Sequence, residues 1–139
     1  MRKRNERGAA LVEAAITIPI LLLIAVGIFE FGRAYQTWQV LTNAAREGAR
    51  LAVTPGANST NVRDLVRLYM QNGGLPNYAT ADVQVVSEDL VSGSATRITI
   101  GYPFSFMVLQ PVIQLIHAGS ATGEPITMGA TATMRNESP

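Results

Sequence analysis

Glu13 is the one charged residue in the 21 residues from Ala9 to Phe29, and the run from Ala14 onward carries no charge at all. A lone carboxylate on a segment bound for lipid is costly unless it is paired, so an ionisable residue in such a place is first of all a functional hypothesis. Two readings stand. Glu13 rests at headgroup level, where its cost is small, or it pairs with an amine once the chain is assembled with others. Nothing comparable occurs elsewhere. His117 is the only histidine and there is no cysteine, so a metal site lacks its ligands and disulfides are excluded. Asp82, Glu88 and Asp89 flank a turn without calcium-loop spacing and read as solvated surface. Ser105 in "YPFSFM" has no nucleophile-elbow context. The loops "GSATG" and "SGS" lack the Lys-Ser/Thr that follows a phosphate-binding loop. Arg63 and Arg67 lie one helical turn apart and read as a solvated face, with an acidic partner as the sharper alternative. No catalytic constellation emerges; the chain reads as a non-enzyme without a cofactor.

The elements that carry these residues follow from the apolar pattern. Residues 9–29 reach the roughly 20 apolar residues that a spanning helix needs. Arg2, Lys3, Arg4 and Arg7 against Glu6 give the first eight residues a net charge of +3, leaving −2 for the rest. That basic cluster predicts a cytoplasmic N-terminus and an extracytoplasmic remainder. Beyond the span, Phe31, Ala34, Tyr35, Trp38, Leu41, Ala45, Ala49 and Ala52 keep helical spacing, with Arg33, Gln36, Gln39, Arg46 and Arg50 opposite. One helix of roughly 45 residues is expected, from near Gly8 to Val53, with Tyr35 and Trp38 as interfacial aromatics. Thr54-Pro55-Gly56 ends it. Val62, Leu65, Val66, Tyr69 and Met70 mark a short second helix closed by Gly73-Gly74. Alternation at Val83 and Val85, then at Ile98 and Ile100, predicts a hairpin, and "ITMGATATMR" predicts a third strand. The expected fold is α+β: a leader (1–8), a long helix (9–53), a linker (54–61), and a head (62–139) with one short helix and a three-stranded antiparallel sheet. Residues 101–116, "GYPFSFMVLQPVIQLI", are too short and Pro-broken to span. They complete the head's core, or they form an exposed patch that docks a neighbouring subunit or the membrane surface. Pro19 is tolerated inside a span and introduces a bend. Ala9, Ala10, Ala14 and Ala15, with Gly27 and Gly32, allow close helix approach, though the glycines lack GxxxG spacing.

Composition narrows the class. Charged residues are 15% of the chain and apolar residues 47%, which is not a disordered composition. A net charge of +1 offers no argument for nucleic acid as a partner.

Three readings fit a basic start followed by an apolar run. A secretory signal needs a small-x-small site after the run, where Ile28, Phe29 and Phe31 stand instead. A plain anchor, an uncleaved single-pass periplasmic scaffold or binding protein, explains everything except Glu13. A prepilin-type leader is removed before the apolar segment, at the small residue Gly8. Ala9 then becomes the first residue of the mature chain and Glu13 the fifth. "RG-AALVE" resembles the type IV prepilin pattern in this respect. The longer stretch "RGAALVEAAITIPILLLIAVGIFEFGRAYQTWQVLTNAAREGARLAV" resembles TadE-like proteins of the tight-adherence pilus system, through Glu13, Pro19, the Glu30/Gly32 boundary and "AAREGAR". "ITIGYPFSFM" and "ATATMRNE" also resemble that family's C-terminal portion. The resemblance implies a minor pilin or pseudopilin, cut between Gly8 and Ala9 by a prepilin peptidase. Its partners would be other pilin subunits, membrane assembly platform proteins and the lipid bilayer. It would lie in the bacterial inner membrane, and after processing in a pilus.

Overall fold

The computed structural model of the chain describes residues 2–90, 93–108 and 125–136. Pro111, His117 and the rest of the apolar stretch from residue 109 lie outside them. The chain divides into two units, Met1–Arg33 with Phe106–Gly123, and Ala34–Ser105 with Glu124–Pro139. Helix α1, Arg2–Ala52, runs from the first unit into the second. It begins at Arg2 rather than near Gly8, because Arg, Lys and Glu are good helix formers and nothing between Arg2 and Arg7 breaks the backbone pattern. It also continues through Pro19. Its end is built as expected. The Thr54 backbone N–H and hydroxyl both donate to the Leu51 carbonyl, and Ala57 N–H closes a turn on Thr54 O at 3.2 Å. Pro55 at the second position and Gly56 at φ +84° in the third are the signature of a type II turn.

Helix α2, Ser59–Asn72, starts inside the stretch read as linker. The cause is Asn58, whose side chain accepts the Asn61 N–H at 2.8 Å and so satisfies one orphan donor of the first turn. At the other end Leu75 N–H reaches Met70 O and Gly74 N–H reaches Gln71 O, with Gly74 at φ +77°. This is a Schellman motif, and Leu75 and Met70, both buried, supply its apolar contact. The buried stripe of α2 is Val62, Val66 and Met70; Tyr69 stays partly exposed. A single 3-10 turn, Tyr78–Thr80, leads into the sheet.

Strands β1 (Asp82–Leu90), β2 (Gly93–Phe104) and β3 (Ile126–Arg135) form an antiparallel sheet in the order β1-β2-β3. The register sets Val83 opposite Ile100 and Ile100 opposite Ala130, then Val85 opposite Ile98 and Ile98 opposite Ala132. These rows share one face because strand side chains alternate. Pro103 is tolerated in the central strand because β1 has already ended opposite Gly101. The core of this unit lies between that face, α2 and the second half of α1. Leu41, Ala44, Ala45 and Ala49 are fully buried there, while Tyr35 and Trp38 remain exposed. The buried stripe of α1 is therefore rotated away from the aromatic positions that share its spacing.

Gly48 shows how closely α1 and α2 approach. A Cβ at this position would sit 2.5 Å from Val66 Cγ2, with Ile98 and Val62 methyls at 3.6 and 3.7 Å. Gly48→Val is expected to lower the stability of the detergent-solubilised chain by about 2 kcal/mol, the usual cost of overpacking. Thermal unfolding followed by circular dichroism would check it.

Candidate functional site

The first unit presents an apolar helix surface with large side chains exposed from Leu11 to Phe29. One helix among the described residues is long and apolar enough to cross a membrane. Eleven large apolar side chains between Leu11 and Phe29 are each more than half exposed. Each contributes about 1.5–3 kcal/mol when fully removed from water. Even at half that value they outweigh the about 3 kcal/mol that a charge costs at the centre of a span. Glu13 therefore does not prevent the segment from entering lipid; it only makes an unpaired state there unfavourable.

Gly8, Ala9 and Glu13 all lie on α1 and are exposed. Ala9 and Glu13 are four residues apart, which places them on one face a single turn from each other. Thr17 Oγ1 donates to the Glu13 carbonyl at 2.7 Å, so that hydroxyl is satisfied locally and leaves the Glu13 carboxylate to other partners. A Cβ added at Gly8 would meet nothing within 4 Å, and the same holds at Gly27 and Gly32. Glycine in a helix costs roughly 1 kcal/mol against alanine. No contact within the described residues requires it at these three positions.

Residues 8–50 match the sequence model of the TadE-like protein family. Over that stretch the chain is similar to TadE-like proteins. The TadE-like segment is just under a third of the sequence, and it contains Gly8, Glu13, Pro19, Glu30, Tyr35 and Trp38. The match suggests involvement in a tight-adherence pilus system, and with the long apolar helix it fits a membrane-anchored protein. The stretches "ITIGYPFSFM" and "ATATMRNE" fall outside the match. No curated protein and no solved structure matches the chain.

The TadE-like segment also holds a feature that local sequence pattern does not reveal. Glu30, the first residue after the apolar run, is completely buried. Its Oε1 accepts the Val108 backbone N–H at 2.6 Å, and its Oε2 accepts from Arg33 Nη2 at 3.0 Å. Both carboxylate oxygens are thus paired, one of them to a guanidinium, which is what a buried carboxylate requires. Val108 is 78 residues away in sequence, and only an acidic residue at the end of an apolar run hinted at the contact.

Tyr35 and Trp38 are exposed and in ring contact, their centroids 6.0 Å apart with 34° between planes. In the second unit, Arg50 bonds the Glu47 carboxylate, and that hydrogen bond holds the Glu47 carboxyl below its usual value. Arg63 is exposed, and its Nε donates to the Val83 carbonyl at 3.1 Å. Arg63 and Arg67 line an open cleft of about 430 Å³ together with Asp64 and Asp82, so the charges there balance. Asp82 accepts from Gln84 at 2.8 Å, and the side chains of Glu88 and Asp89 lie outside those described. Among the described residues no group of three or more His, Cys, Asp or Glu gathers to hold a metal.

Proposed function

We propose that this chain is a minor pilin or pseudopilin subunit that takes part in assembling a tight-adherence type pilus. A prepilin peptidase removes residues 1–8 between Gly8 and Ala9. The observation that carries this reading is the placement of Glu13 one turn after Ala9 in the otherwise uncharged run 9–29 of α1, whose large apolar side chains are exposed. Cleavage creates an amine on Ala9. That amine, or the one on a neighbouring subunit, neutralises Glu13 when the helix leaves lipid and packs against other pilin helices. A wrong axial register leaves the carboxylate unpaired in an apolar bundle, so the same charge selects the right one. The open space around Gly8 supports recognition by an external enzyme, and that around Gly27 and Gly32 supports close approach by neighbouring helices.

The chain acts as a building block. The span stores it in the inner membrane, N-terminus in the cytoplasm and head outside. Tyr35 and Trp38 mark the interface, and Pro19 supplies a bend used when the helix is extracted. The head suits a tip, initiating or adaptor position. Other pilins, the assembly platform and the bilayer are its partners. The test is co-expression with the prepilin peptidase of the same system. The chain is expected to shorten by its first eight residues. A chain that keeps its full length, beside an authentic prepilin that is cut in the same cells, is an uncleaved anchor and rules the proposal out.

A further inference from the structure

Glu30 does more than neutralise Arg33. It ties a distant turn of the chain to the end of the span. The three residues Phe106, Met107 and Val108 belong to the same unit as the apolar helix. Val108 is anchored through its backbone, which leaves its side chain outward: Met107 is 64% and Val108 41% exposed. Apolar side chains that complete a core are buried; these are not. They sit on a backbone fixed to the residue that directly follows Phe29, itself exposed. Apolar groups held at that level continue the lipid-facing surface of α1.

We propose that Phe106–Val108 is a second membrane-contacting element, held by Glu30 so that Met107 and Val108 enter the boundary between headgroups and acyl chains. Burying two apolar side chains there favours the seated state. The Glu30 carboxylate tolerates the location because both oxygens are paired. Arg33, on the same helix turn and part-exposed, supplies the balancing charge at 3.0 Å from the Glu30 carboxylate. The inference rests on membrane anchorage of α1 and not on leader removal.

The chain has no cysteine, so single labels are clean. Met107→Cys and Thr131→Cys, each carrying an environment-sensitive fluorophore, are placed in the full chain in phosphatidylcholine vesicles. The label at 107 is expected to be quenched by doxyl-phosphatidylcholine and shielded from iodide, and the exposed label at 131 to behave oppositely. Adding Glu30→Ala is expected to return the 107 label to iodide, with Glu30→Gln, which keeps an acceptor oxygen for Val108, intermediate. Equal iodide access at 107 and 131 overturns the proposal. So does lipid quenching that survives Glu30→Ala, or iodide shielding that is lost on tenfold dilution with the same lipid mixture, which would mean a second copy covers the turn. A chain that does not enter vesicles at all overturns membrane anchorage with it, whereas an uncleaved N-terminus leaves it intact.

Discussion

Glu13→Ala is expected to leave membrane insertion and leader removal at wild-type levels while abolishing incorporation into the assembly. Insertion depends on the apolar side chains between Leu11 and Phe29, whose combined transfer free energy exceeds the cost of the charge; removing Glu13 can only ease it. Leader removal depends on the residues around Gly8, which the substitution does not touch. Assembly differs because, on the proposed function, it is the step at which the carboxylate pairs with an amine. Breaking one half of a desolvated pair costs about 3 kcal/mol, over a hundredfold in an equilibrium constant at each subunit contact. Membrane fractionation, peptidase processing and co-purification with the other pilins would separate the three steps. Glu13→Asp should recover part of the last one, since it keeps the charge and shortens the reach. Normal co-purification of Glu13→Ala would remove the charge-pairing account.

Glu30→Ala is expected to have the second largest effect, and a local one. The variant strands the Val108 N–H and takes a carboxylate from Arg33. A hydrogen bond to a charged group contributes about 1.5–3 kcal/mol, so the opening of the 106–108 turn should become on the order of 30-fold more favourable. Hydrogen exchange measured on peptides covering residues 104–108 would report it. Peptides from β1, which belongs to the second unit, should keep wild-type protection. Glu30→Gln should lie between the two, and unchanged exchange at Val108 in the alanine variant would dismiss Glu30 as a tether.

The sequence pattern announced some of this architecture and concealed the rest, for physical reasons. The sheet was legible because side-chain alternation sets register: a slip of one residue would turn Ile98 and Ile100 out of the core. The end of α1 was legible because Pro55 and Gly56 each have one strong backbone preference. The start of α1 was not, since the basic residues before Gly8 form helix as readily as the span does. Nor was the buried stripe of α1, because Tyr35 and Trp38 share helical spacing with Leu41 and Ala45 and only packing against α2 and β2 separates them. Gly8, Ala9 and Glu13 lie on one element, and the roles proposed for them come from their spacing together with the resemblance to the prepilin pattern. The partner of Glu30 could not, because a backbone N–H 78 residues away leaves no mark in side-chain pattern.

The central claim is that this chain is a processed pilin-like subunit, and the identity of its first residue tests it most directly. The protein is to be isolated from its native cells and its N-terminal peptide sequenced by mass spectrometry. Ala9 at the N-terminus, with Glu13 as the fifth residue, is the predicted result. Met1 at the N-terminus in cells that process other prepilins would contradict the account.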